Sequence, residues 1–312
     1  MSLSDLQIGA WNVLGAEAPK LHTGNTFFVS SVVGSDDNPA GTKDAPFATI
    51  DKALGHCATS HDDVIYVMAG HTESIAAAGG IAFDVAGVTV IGLGAGTLRP
   101  TITLGTATGA SVTVTAANVT IDGFIFKANL DEIATCFTIS AASCTIKNCE
   151  FRDVAANKHF LSCILTNAVA NACDGLSVLG CKRFGLAVAA TAFISILENN
   201  DRVTLNDNIV IDAAATGDVG HFLIMADKVV TNAEIARNKL ILPAGAAIAV
   251  GMFMTGSATT MTGVVYNNYV ASVDTTAALF CTATMTFGMF ENYQTGVLAN
   301  SGLIWPAADT PS

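Results

Sequence analysis

The residues able to do chemistry are few and scattered. Six carboxylates of the repeated stretches are candidates, namely Asp122, Glu150, Asp153, Asp174, Asp207 and Asp212. Glycoside hydrolysis needs two such groups roughly 5 to 10 Å apart, one of them with a raised pKa. None of the six recurs at the same place in the next stretch with a base beside it. Asp153, Asp174 and Arg183 (adjacent to Lys182) lie in three successive stretches and form the one trio worth carrying as a catalytic candidate. The competing reading is that these acids face water or are satisfied inside the fold. Asp36, Asp37 and Asn38 offer the oxygen ligands that Ca²⁺ takes. A turn with solvated acids accounts for the same residues, so no metal site is assigned, and no cofactor motif is present. The histidines at 22, 56, 61, 71, 159 and 221 form no cluster. The eight cysteines (57, 136, 144, 149, 163, 173, 181 and 281) show no CxxC pair and no zinc spacing, and read as small buried apolar side chains. Cys149 and Cys181 fall at matching places in successive stretches, which leaves a ladder contact or a disulfide open.

The chain of 312 residues is 51% apolar and only 13% charged, with mean hydropathy +0.51. Such values fit either a membrane protein or one that buries small residues in regular layers. The longest apolar run, residues 185–197, is broken by Thr191 and Ser195 and is too short to span a bilayer as a helix. No membrane partner is expected. Net charge is −12 with 14 Lys and Arg, and Lys182-Arg183 is the only adjacent basic pair, which argues against nucleic acid as a partner. The first residues carry no basic region followed by an apolar core, so a cytosolic origin is expected. Sparse charge also leaves faces free for contacts between subunits.

The elements that must position these residues follow from a repeat. Anchors at Ile65, Val90, Ile121, Ile146, Val178, Leu205, Ile235, Val265 and Met289 are separated by 25, 31, 25, 32, 27, 30, 30 and 24 residues. Each sits in a short β run, followed by Gly or Asn and a second short β run. A strand pair bent at Gly or Asn cannot bury its inner face alone, so the units must stack as coils in parallel register. Asn148, Asn208, Asn238, Asn268 and Asn292 sit just after the first strand of their units. Asn tolerates the left-handed backbone of a tight bend, and its amide can bond to the same group one coil away, so the five form an expected structural ladder. About nine coils at roughly 4.8 Å each give a rod about 40 Å long.

The ends of such a rod expose strand edges that must be covered. Residues 27–70 read as a cap and first coil: a strand from Phe27 to Val33, a turn-rich loop, a short helix capped by Thr49 with Ile50, Ala53, Leu54 and Cys57 on its apolar side, and a strand over VIYVM. The coils occupy residues 71–297. Residues 298–312 form a second cap, with Gly-Leu-Ile before Trp305, and a tail. Residues 1–26 differ from the rest and read as an arm, with Trp11 and Leu14 as the anchors that would dock it on a partner.

The run GSDDNPAGTKDAPFATIDKAL (residues 34–54), then DDVIYVMAG, resembles the N-terminal cap and first coil of pectate-lyase-like right-handed parallel β-helix proteins. The resemblance implies an all-β, right-handed parallel β-helix with a short capping helix. That superfamily includes polysaccharide lyases and hydrolases, cell-surface proteins, and tailspikes and other virion proteins of tailed bacteriophages, so fold alone leaves the function open. Lyases of the family hold Ca²⁺ with acids and use Arg or Lys as base, a set the present residues do not reproduce. Aromatic residues are 7% of the chain, with 16 Phe against 4 Tyr and 2 Trp, which leaves little to line a sugar groove. The expectation is a non-catalytic virion protein, a capsid decoration or head-surface β-helix assembled in the host cytoplasm. Its partners would be copies of itself (a homotrimer, by the resemblance) and a major capsid or other virion protein, met through the arm. The alternative is a carbohydrate-active β-helix, such as a tailspike-like depolymerase or lyase. An adhesion module comes third.

Overall fold

The computed structural model describes residues 22–186, 190–212, 220–225, 228–242, 253–255, 261–272, 288–295 and 302–304. Trp11, Leu14, Cys281 and Trp305 lie outside them. Among the described residues, no helix is long and apolar enough to cross a membrane.

The chain winds into a parallel β-helix whose turns contribute strands to three sheets. Sheet 1 stacks the anchor residues in register, from Phe27 under Ile65 through Val90, Ile121, Ile146, Val178, Leu205, Ile235 and Val265 to Met289. Every link is one turn of the coil, so the varying step length is taken up in the loops while the register stays fixed. Sheet 2 follows after the bend. Its inward column runs Ile102, Phe126, Phe151, Arg183, Val210, Leu240 and Val270. Sheet 3 was not expected from the sequence. Strands such as Ile133–Ile139 and Phe160–Thr166 fill what read as gaps between units. Complete turns, with a strand in each sheet, number seven in the seven-stranded sheet 3, fewer than the nine coils expected; later turns are described on sheets 1 and 2 only.

The lumen is packed with aliphatic side chains and a run of phenylalanines. Phe126, Phe137, Phe151 and Phe193 meet edge-on or stacked, and Phe222 lies parallel on Phe253 with centroids 4.6 Å apart. At the N-terminal end the helix Ile50–Leu54 buries Ile50, Ala53 and Leu54, and Thr49 Oγ1 accepts the Lys52 amide as its cap. Ile50 faces the same small apolar void, about 10 Å³, as Ile81, Ile102 and Ile121, so the helix closes the lumen. At the other end Gly302–Ile304 pairs antiparallel with Asn292–Thr295 and covers that edge of sheet 2.

The first strand stops sooner than its apolar run suggests. It spans Thr26–Val29, because Ser30 Oγ accepts the amides of Val32 and Val33 and the Gly34 amide closes on the Ser30 carbonyl. That local turn outcompetes extension. It leaves Val32 and Val33 at 73% and 68% exposure on a loop tip.

Candidate functional site

Asp153, Arg183 and Asp212 come together inside the helix, at the corner where sheet 2 passes to sheet 3. Strand alternation points Phe151 and Asp153 inward from one turn, Arg183 and Gly185 from the next, and Val210 and Asp212 from the third. Arg183 is 1% exposed, and its three guanidinium nitrogens have no hydrogen-bond partner among the described residues. Two glycines make room for the cluster. A Cβ at Gly220 would stand 2.8 Å from Arg183 Nη1, and one at Gly185 would stand 3.0 Å from Asp212 Oδ2.

The charges here are set by burial. Asp153 accepts the Phe160 amide at 3.2 Å and the Leu186 amide at 2.9 Å. Burial still raises its pKa above the usual carboxylate range, against the pull of Arg183 and those amides. Burial draws the Arg183 guanidinium down, but Cys163, Asp153 and Asp212 outweigh it and hold the pKa above that of an ordinary arginine. Burial pushes the Cys163 thiol up to about 12, so no thiolate nucleophile is at hand near neutral pH. His159 is buried nearby, its Nδ1 3.5 Å from the exposed Asp131. All three charged groups of the cluster are buried, Asp153 at 7%, Arg183 at 1% and Asp212 at 3% exposure.

Asp174 does not join them. It sits in the turn that leads into sheet 1, where its Oδ1 accepts the Asp201 amide at 2.8 Å and its carbonyl accepts the Ser143 amide. Nearness in sequence misled here, because residues of successive stretches lie at different corners of one turn. Asp212, which the sequence placed among the six acids but outside the trio, takes the third place. The signal is one of register within sheet 2, where Gly185, two residues beyond Arg183, pairs with Asp212.

The remaining acids are tied between turns on the outside. Asp122 meets Lys147 Nζ at 3.3 Å and Asn148 Nδ2 at 2.9 Å. Glu150 is shared by Arg99, at 2.8 Å, and Arg152. Asp207 takes both arms of Arg237 at 2.8 Å, which lowers its carboxyl pKa. Asp36 accepts the amides of Ala48 and Thr49 and the Thr49 hydroxyl, so its oxygens fasten the loop to the helix.

Four of the five expected asparagines form the ladder. Asn208, Asn238, Asn268 and Asn292 stack at the bend between sheets 1 and 2, each buried. Asn238 Oδ1 accepts the backbone amide of Asn208 at 2.9 Å and its Nδ2 at 3.0 Å, and the same pair of bonds repeats to Asn268 and Asn292. Each ladder Nδ2 also reaches a carbonyl of an earlier turn, as from Asn238 to Leu205 at 2.7 Å. Asn148 is not a rung. It belongs to the column one residue earlier, with Gly123, Gly180, Asp207, Arg237, Asn267 and Glu291, all at positive φ. The left-handed residue and the laddering residue are therefore neighbours and not the same residue. The rungs below Asn208 are Cys181 and Cys149, both free thiols, and the Cys181 amide donates to Asn208 Oδ1 at 2.9 Å.

Along the same bend runs an open groove of about 420 Å³. Gly92, Gly123 and Gly180 line it, together with Arg99, Asn148, Glu150 and Lys182. Arg99 donates to the carbonyls of Gly123, Phe124 and Asn148 as well as to Glu150, so its fork spans three turns. Lys182 is exposed and forms no ion pair among the described residues. The aromatic shortage is partly relieved on the outer faces, where Tyr269 pairs with Tyr293 on sheet 2 and Tyr266 stacks on Phe290 at 4.9 Å on sheet 1.

No protein-family model matches the chain, and no curated protein matches it. Among solved structures, pectate lyase Pel9A superposes with a TM-score of 0.55 at 11% identity, over 93% of this chain and 82% of that one. A rhamnogalacturonan lyase gives a TM-score of 0.43 at 15% identity, over 84% and 88% of the two chains. At such identities the likeness is one of fold alone: the chain is a parallel β-helix similar in fold to pectate lyase Pel9A.

Proposed function

We propose that this protein is a non-catalytic structural β-helix of a tailed-phage virion, a capsid decoration or head-surface subunit docked through residues 1–26. The observation that carries the non-catalytic part is the placement of the carboxylates. Asp153 and Asp212 are sealed in the lumen with Arg183, and Asp122, Glu150 and Asp207 are held in ion pairs that join turns. A chain that uses its scarce charges to tie coil to coil is built for rigidity. The virion setting is supported by the resemblance of the cap to a superfamily that includes virion proteins.

A carbohydrate-active β-helix is the second reading, favoured by the groove with Glu150 and Lys182 on its walls. The two part on one experiment. The full chain is incubated with a panel of acidic and neutral bacterial polysaccharides while reducing ends and unsaturated products are followed. In parallel it is mixed with phage capsids, with and without residues 1–24. The structural reading expects no release of sugar ends, and capsid binding that the truncated but folded chain loses. Cleavage abolished by Glu150→Gln would overturn it in favour of the second reading.

A further inference from the structure

We infer that the lumen corner built by Asp153, Arg183 and Asp212 is a binding site for internal water, which carries hydrogen bonds from the Arg183 guanidinium to the surrounding acids. The site stands whether the chain serves a virion or cuts sugar.

The demand comes first from one side chain. Arg183 stands in an inward column between Phe151 of one turn and Val210 of the next. It is buried, and Nε, Nη1 and Nη2 all lack a hydrogen-bond partner among the described residues. A guanidinium carries five N–H donors and keeps its charge inside a protein. Buried donors in folded proteins are satisfied by protein groups or by ordered water. His159 adds to the demand. It is buried, close enough to act on the charge of Asp153, and neither of its ring nitrogens makes a hydrogen bond.

The groups around Arg183 supply no direct acceptor. Asp153 is fixed in the wall, Oδ1 by the Phe160 amide and Oδ2 by the Leu186 amide, so it cannot swing onto the guanidinium without loosening both. Cys163, which also faces the guanidinium charge, is held as a thiol, and its sulfur is a weak acceptor. The adjoining positions are small. Gly220 lies against Arg183 Nη1 with Ala190 and Ala192 beside it, and Gly185 lies against Asp212.

The mixed character of the corner selects the ligand. An anion would accept from Arg183 but would stand beside two carboxyl groups with nothing to donate to them. A cation would suit the acids and be repelled by the guanidinium. Water meets both needs, accepting N–H groups on its two lone pairs and donating its own protons to a carboxylate or to His159. At two acceptances per molecule, the five N–H groups call for about three waters. Bridges of this kind are nearly as good as direct hydrogen bonds, and they let one cation serve acids from the turns on either side of it.

The test is a high-resolution crystal structure of the full chain, grown in sodium bromide so that a bound halide reveals itself by anomalous scattering. Expected are waters about 2.7 to 3.2 Å from the Arg183 nitrogens, each also bonded to Asp153, Asp212 or His159, and no bromide. In solution, oxygen-17 relaxation dispersion counts long-lived buried waters. That count should fall by about three in the Asp153→Ala, Arg183→Leu, Asp212→Leu variant, its fold checked by circular dichroism. The parent crystal decides alone if the variant does not fold. Guanidinium nitrogens bonded directly to the carboxylates with no water between them overturn the inference. So does bromide on Arg183, or a water count unchanged in the folded variant.

Discussion

Asn238→Leu tests whether the buried amide ladder, more than the lumen, fixes the bend between sheets 1 and 2. The side chains are similar in volume, so the change removes hydrogen bonds with little cavity. Asn238 makes four of them through its side chain: from Nδ2 to the Leu205 carbonyl and to Asn268 Oδ1, and into Oδ1 from the Asn208 amide and Asn208 Nδ2. Some partners keep a second bond. Asn268 Oδ1 still receives the Asn238 amide, and Asn208 Nδ2 still reaches Val178. The Asn208 N–H and the Asn238-facing lone pair of Leu205 are left buried without replacement. At about 1 to 3 kcal/mol for each orphaned group, the loss is roughly 2 to 6 kcal/mol, a large share of a typical total stability. Asn148→Gly is the control, because Asn148 is a left-handed bend residue with one side-chain bond, to Asp122. Gly accepts positive φ without penalty, so that variant should stay within about 1 kcal/mol of the parent. Denaturant and thermal melts followed by circular dichroism read both. Equal losses in the two variants, or an Asn238→Leu protein as stable as the parent, would refute the distinction drawn between rung and bend.

Two further expectations concern buried charge. Arg183→Met leaves Asp153 and Asp212 without their cation, so it should cost about 3 to 5 kcal/mol at pH 7. Because the raised Asp153 pKa means that its protonated form is the one the fold favours, the deficit should shrink as pH falls toward the Asp153 pKa. Replacing the cluster with residues of the neighbouring turns (Asp153→Ala, Arg183→Leu, Asp212→Leu) should recover most of the loss, and a triple variant worse than Arg183→Met would refute the account. Asp63→Asn addresses the cap. Burial opposes the Asp63 carboxylate, but bonds from the Ala58 amide, the His61 ring and the Asn25 amide together lower its pKa. A lowered pKa gives stability that is present above the ordinary value near 4 and lost as pH falls through the folded one. The variant should therefore melt below the parent at pH 7 and converge with it toward pH 2, and a gap that widens in acid would contradict this.

The sequence by itself determined the stacking direction of the molecule. Ile65, Val90, Ile121 and their successors are set in register because a β-branched or aliphatic residue every turn has one way to be buried, on the matching residue above and below. Thr49 and the spacing of Ile50, Ala53 and Leu54 likewise determined the capping helix, since capping and a 3.6-residue period are local properties. The four buried asparagines were legible too, because Asn after a short strand has few other uses in an apolar chain. What only the tertiary structure decided were the relations across a turn. Sheet 3 carries no Gly or Asn signature and so read as loop. Asp174 and Asp212 were indistinguishable as partners for Arg183 until the corner each occupies was known. Asn148 reads as a rung in the sequence because a one-residue offset between the left-handed column and the ladder does not show in composition.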